Sequence, residues 1–246
     1  MRAFYLVFIF FIFFISLNLK ANETLPILEI TKIQQGVYLH KSYNDVKGFG
    51  LVSSNGLIVI EDKKAFIVDT PWSKKDTERL VDWITNNEYQ LLGSISTHSH
   101  EDRTAGIEWL NQRKIPTYAS SLTNGILKKS GKVYAEHNLV GDESSLFSGM
   151  ITTFYPGPGH AIDNIVVWLP KLNLLFGGCL IRSMASKSLG YTGEAYIDEW
   201  ANSVEKLKNK YSELSIVVPG HGKIGGIQLL EHTKALAQKS LLKHRK

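Results

Sequence analysis

The chain has 246 residues, 43% hydrophobic and 21% charged, with one cysteine and a formal net charge of +5. That composition supports a single well-buried globular domain and excludes a disordered or disulfide-stapled chain. Without an N-terminal export segment holding Arg2 and Lys20, 26 basic residues face 23 acidic ones, and so small an excess argues against a nucleic-acid partner.

The predicted elements begin with that segment. Residues 4–15 are uninterrupted and apolar, with Arg2 before them and Ser16, Asn18 and Lys20 after. The run is shorter than the roughly 18 to 20 residues that span a membrane. Residues 1–21 are therefore expected to be a signal peptide cut after Ala21, and residues 22–246 the mature domain. An uncleaved anchor is the alternative, because Leu19 is a poor fit two places before the cut. β-Branched and aromatic runs then predict strands over 27–33, 36–40, 56–60 and 65–69. Helical spacing follows over 73–86, 103–112 and 121–129, with a strand over 91–96 between the first two. Further strands are expected over 151–155, 164–169, 172–176 and 215–219, and helices over 198–211 and 227–240. No repeat or Pro/Gly/Ser-rich linker divides the chain. The count implies an α/β fold of two β-rich sheets flanked by helices.

Chemistry-bearing residues cluster just beyond four of these apolar segments. His98, His100 and Asp102 lie in Thr97-His-Ser-His-Glu-Asp-Arg103, and His160 ends Gly157-Pro-Gly-His160. Cys179 ends Gly177-Gly-Cys179, and His221 sits in Pro219-Gly-His-Gly222. Residues two apart share a face of an extended chain but lie about 200° apart round a helix, so His98, His100 and Asp102 fit an extended segment or loop. Neutral imidazole, thiolate and carboxylate are the ligands zinc takes. A lone thiol in an exported protein is left odd unless something protects it; burial as an inert side chain is the alternative to coordination. The residues divide by chemistry into a His98, His100, His160 set and an Asp102, Cys179, His221 set. Each leaves a position open on a tetrahedral ion, the mark of a catalytic site. His40 lies inside a strand pattern, His137 and His232 lack partner spacing, and His244 is in the tail, so all four are left out of the site.

Together with Val68-Asp-Thr-Pro71, Asp163-Asn-Ile-Val-Val-Trp168 and Leu175-Phe176, these stretches make the chain resemble the subclass B1 metallo-β-lactamases, most of all those of imipenemase type. The resemblance covers essentially the whole mature chain. It implies an αββα sandwich of the metallo-β-lactamase type, with two Zn2+ per chain in a groove at a sheet edge. It implies hydrolysis of the β-lactam amide of penicillins, cephalosporins and carbapenems, conferring antibiotic resistance. The expected enzyme is a periplasmic monomer that binds a small-molecule β-lactam and neither nucleic acid nor, after signal cleavage, membrane. In that mechanism a zinc-activated hydroxide attacks, so no serine nucleophile is needed. The three-histidine ion polarises the carbonyl, and the other ion stabilises the amide nitrogen as the ring opens.

The resemblance also assigns substrate contacts. Arg182 matches a cation for the β-lactam carboxylate, with a surface arginine as the alternative. Tyr191 occupies a position where the family often has asparagine, which can shift substrate preference. Residues 43–49 resemble the hairpin that closes over substrate, with Val46 and Phe49 as apolar contacts, and Trp72 lines the groove. Relatives acting on thioesters or transfer RNA usually place a histidine directly after the aspartate; here that residue is Arg103. Arg103 is read either as a cation beside the thiolate or as a surface arginine at a helix start. Asp69 either supports the second metal's ligands or caps a turn. A thioester or phosphodiester hydrolase and a non-catalytic zinc protein are the competing classes.

Overall fold

The computed structural model describes residues 25–244, so segment 1–21, expected to be a signal peptide, lies outside it, as does the side chain of His244. The first sheet runs in chain order through seven strands: β1 (Glu29–Gln34), β2 (Val37–Val46), β3 (Gly50–Glu61), β4 (Lys64–Val68), β5 (Gln90–Ser96), β6 (Thr117–Ser120) and β7 (His137–Leu139). Its first four strands pair antiparallel and the rest parallel. The second sheet contains β8 (Glu143–Leu146), β9 (Ile151–Phe154), β10 (Val166–Leu169), β11 (Leu174–Gly178) and β12 (Ile216–Pro219), in the order β12-β11-β10-β9-β8. Only its β11/β12 pair is parallel.

Both faces of the central strands are apolar, and period-2 alternation explains where each goes. Leu57, Val59, Phe66, Val68 and Ile95 meet Val167, Leu169, Leu174, Phe176 and Val218 between the sheets. The alternate residues Ile58, Ala65 and Ile67 face outward onto Leu80 and Ile84 of α1 (Lys74–Asn86). On the other side, Val166, Leu175 and Val217 pack under α5 (Ile197–Lys210) and α6 (Gln228–His244) through Trp200, Val204, Leu207, Leu229 and Leu230. Each fully buried large apolar side chain contributes roughly 1.5–3 kcal/mol. The layers run helix, sheet, sheet, helix, as expected of an αββα sandwich.

The expected helix over 103–112 is instead two, α2 (Glu101–Thr104) and α3 (Ile107–Gln112). They part at Gly106, where a Cβ would lie 2.4 Å from Thr77 Oγ1 and whose N–H donates to Thr70 Oγ1 at 2.9 Å. The remaining helix, α4 (Ser121–Lys129), falls where its spacing puts it. Strand β2 continues past the expected end at His40 to Val46 and pairs with β3 through the Val46–Gly50 turn, which makes residues 43–49 a hairpin tip. Two backbone bonds join the sheets: Asn55 N–H donates to Gly220 O at 2.8 Å, and Ile165 N–H to Thr97 O at 2.9 Å. The site forms at that seam.

Candidate metal centre

Four separate chain segments deliver the six residues to one place. His98 and His100 occupy the irregular segment after β5, and Asp102 lies in the four-residue helix α2, not on extended chain. The helix turn, absent from a reading based on alternation, is what swings the carboxylate toward Cys179. Cys179 directly follows β11, His160 ends the turn after β9, and His221 follows β12 by two residues.

The ligand-type atoms converge. Those of His98, His100 and His160 lie within 4.8 Å of one another, as do those of His98, Asp102 and Cys179. His221 joins the latter group: its Nε2 is 3.2 Å from Cys179 Sγ and 3.3 Å from Asp102 Oδ2. Its Nδ1 faces Ser53 O at 2.6 Å, which assigns the proton to Nδ1 and leaves Nε2 a lone pair. His100 is arranged the opposite way, with Nε2 2.5 Å from Glu194 Oε2 and Nδ1 turned to His160 Nε2 at 3.1 Å.

The electrostatics suit a cation. Burial, then the neighbouring His100, holds the His98 and His160 imidazoles well below their usual range, so both stay neutral and able to donate a lone pair. Both ring nitrogens of His98 and Nδ1 of His160 are buried without a hydrogen-bond partner. Orphaned buried nitrogens of this kind are costly unless an ion or water completes them. Burial alone would raise the Asp102 carboxyl, but Arg103 and then His221 outweigh it and keep the group ionised. Burial pushes the Cys179 thiol up; a bound divalent cation reverses that preference, because a coordinating thiol is deprotonated. The donor set therefore fits zinc.

Arg103 is the centre of the support beneath these groups. It is completely buried, and its Nη2 reaches Cys179 Sγ at 3.0 Å, Asp102 Oδ2 at 2.8 Å and Gly220 O at 3.0 Å. Its Nη1 donates to Asn55 O at 2.6 Å and to Asp69 Oδ2 at 3.1 Å. Of the two readings of Arg103, the structure places it beside the thiol and not on the surface. Gly220 makes this approach possible, since a Cβ there would sit 2.7 Å from both Arg103 Nη2 and the Cys179 backbone nitrogen. Asp69 is likewise buried, with a left-handed φ of 60°. Its carboxylate accepts from Thr97 N–H at 2.7 Å and Thr97 Oγ1 at 2.9 Å, which fixes the residue preceding His98.

A groove of about 730 Å³ opens above the six residues, lined by Val46, Phe49, Trp72, Arg182 and Tyr191 together with His100, Asp102, His160 and His221. Trp72 stands 6.1 Å from the His221 ring at one end, and Tyr191 6.1 Å from His100 at the other.

Comparison with known proteins agrees with this geometry. Residues 49–221 match the family model described as the metallo-beta-lactamase superfamily. The chain belongs to that family. A metallo-beta-lactamase type 2 of Pseudomonas aeruginosa is 44% identical over 95% of this chain and 94% of its own length. One of Bacteroides fragilis is 37% identical over 85% of each chain. Among solved structures, DIM-1 metallo-β-lactamase exposed to ceftazidime superposes with a TM-score of 0.88 at 59% identity, over 89% of this chain and all of the other. TMB-1 does so at 0.86 and 60%, over 87% and 99%. This metallo-β-lactamase thus has the family's fold, and zinc binding is what the family implies.

Three supporting residues escape sequence reading. Glu194 meets His100. Asn55 donates through Nδ2 to Pro219 O and Gly222 O, at 2.9 and 2.8 Å, and so holds the loop carrying His221. Trp200 lies behind His160. None has a motif or periodicity that points to the site; only the Gly193-Glu194 position, three residues beyond Tyr191, hints at proximity.

Proposed function

We propose that this metallo-β-lactamase hydrolyses the β-lactam amide of penicillins, cephalosporins and carbapenems with two zinc ions, one held by His98, His100 and His160 and one by Asp102, Cys179 and His221. The observation that carries the reading is the convergence of these six donors, with the neutral buried imidazoles of His98 and His160 lacking other partners. Zinc bound there lowers the pKa of water from 15.7 to about 7 and polarises a carbonyl oxygen.

The chain's own residues do the rest. Asp102, kept ionised by Arg103, accepts a hydrogen bond from water in the groove and aims it toward the carbonyl. Arg182 has a largely buried guanidinium, lines the groove and forms no ion pair with a carboxylate among the described residues, so it is free to take the substrate carboxylate. Phe49, 55% exposed at the hairpin tip, and Trp72 offer apolar surface to the substrate's side chains and shed water from the groove. Tyr191, half exposed over His100, supplies an aromatic edge where the family often has an amide.

The mature domain, residues 22–246, acts as a periplasmic monomer after removal of the signal peptide 1–21. Among the described residues no helix is long and apolar enough to cross a membrane. Hydrolysis of nitrocefin and a carbapenem by the purified mature protein, with and without a zinc chelator, tests the reading. Turnover abolished by chelation and restored by zinc is the expected result. Two bound zinc ions without turnover would leave a non-catalytic zinc protein instead.

A further inference from the structure

The turn carrying His160 and the loop carrying Cys179 belong to different triads, yet both rest on one side chain. Trp200 of α5 is completely buried. Its indole N–H donates to the carbonyl of Leu180, the residue after Cys179, at 2.8 Å. The same ring stands edge-to-face against His160, with centroids 5.8 Å apart. Gly159 lies flat on the indole, because a Cβ there would be 3.1 Å from Trp200 Cδ1 and 2.4 Å from Leu180 Cδ1. The helix and the residue before it grip the turn: Tyr196 N–H, just ahead of α5, donates to Gly159 O at 2.8 Å, and Ser203 Oγ to Pro158 O at 2.6 Å.

We infer that Trp200 is a positioning residue shared by the two triads, setting His160 through its ring and Cys179 through its indole N–H. The inference rests on the two-zinc reading above. Metal affinity depends on how well ligands are pre-oriented, and groups that orient ligands without touching the ion change affinity by about tenfold or more. A rigid ring serving both segments also makes any shift of one segment felt by the other, since close-packed interiors transmit displacement.

Two substitutions separate the functions. Trp200→Phe keeps an aromatic face for Gly159 and His160 but leaves Leu180 O buried without its donor; Trp200→Leu removes the face as well. Zinc affinity by chelator competition and cobalt(II) spectra of the mature protein give readouts that need no turnover, because only the Cys179 site yields a thiolate-to-cobalt charge-transfer band. Trp200→Phe is expected to weaken the Cys179 site by about tenfold while the three-histidine site holds, and Trp200→Leu to weaken both. A Trp200→Phe protein that melts earlier yet keeps both affinities and an unchanged thiolate band would overturn the inference, with no need of the leucine variant. A wild-type protein without the thiolate band would instead overturn the two-site reading, and the inference with it.

Discussion

Arg103 Nη2 donates to Cys179 Sγ at 3.0 Å, and neither side chain reaches solvent. The pair joins the helix that carries Asp102 to the loop that carries the thiol. Arg103 also partly offsets a buried pair of acids, since Asp69 and Asp102 lie against its guanidinium at 3.1 and 2.8 Å.

Removal of that cation leaves Asp69 with only its Thr97 hydrogen bonds and Asp102 with only His221 nearby. Loss of one partner from a buried ionic network costs about 3–5 kcal/mol. Arg103→Ala is therefore expected to lose stability of that order in urea unfolding of the zinc-free protein, and Arg103→Lys most of it, because an ammonium cannot serve the five directions the guanidinium serves. A loss below about 1 kcal/mol, an ordinary surface value, would mean the network is dispensable.

The two triads predict a graded response to metal loss. Cys179→Ser replaces a thiolate by a hydroxyl that stays protonated, so zinc content should fall from two to one per chain while the three histidines keep theirs. Unchanged stoichiometry by atomic absorption would show that Cys179 is not a ligand. Chelation of the wild type should lower the melting temperature by an amount that goes with the logarithm of the affinity lost; a ligand at a hundred times its Kd stabilises by about 2.7 kcal/mol.

Much of this was legible in the sequence where local pattern and fold agree. Leu57 to Ile60 and Ala65 to Val68 alternate between two buried faces, and their strands appear where the apolar run lies. The sequence reading does not reach three strands, β6, β7 and β8, each of three or four residues; each sends only one or two apolar side chains, such as Ala119, Leu139 and Leu146, into the core, too few to make an apolar run. The six ligand-type residues were readable because they lie just beyond four apolar segments, in short stretches carrying histidine or glycine. Of their supports, Arg103 and Asp69 stand beside those motifs and were named, whereas Glu194 and Asn55 were not: Glu194 is 94 residues from His100, and Asn55 is 164 from Pro219. Only the meeting of the two sheets brings such residues together, and no window along the chain records it.

Glu194 yields its own prediction. A carboxylate on His100 Nε2 holds the proton on that nitrogen and makes Nδ1 the better donor to a metal. Glu194→Gln should weaken the three-histidine site by about tenfold, and Glu194→Asp less, as long as the shorter side chain still reaches. Equal zinc affinity in all three proteins would show that the contact is incidental.

Arg182 is expected to act on binding more than on chemistry. Its guanidinium faces the groove without a carboxylate partner among the described residues. Arg182→Ala should raise KM for penicillins and carbapenems alike while kcat changes little, the pattern of an interaction made equally in ground and transition states. Equal falls in kcat and kcat/KM with an unchanged KM would place Arg182 in the reaction step instead.

His40, outside the six candidate ligands, sets an acid limit on stability. It is buried in β2, its Nε2 donates to Asp69 O at 2.9 Å, and burial pushes its pKa down to about 4, with the nearby Arg103 contributing. The unfolded chain takes up a proton near 6.5 and the folded one does not until about 4, so the folded state is favoured above 6.5 and loses ground as the pH falls toward 4. The full effect is roughly 3 kcal/mol. Asp69 opposes it: burial lifts that carboxyl to about 6, so its folded form keeps a proton the unfolded form releases, and its contribution declines as the pH rises through that range. The difference between wild type and His40→Gln isolates the imidazole, since both keep Asp69. Urea unfolding of the two zinc-free proteins from pH 7 to 4 should show the wild type losing stability the more steeply, with the gap opening below 6.5. Parallel curves would mean that His40 accepts its proton in the folded protein as readily as in the unfolded chain.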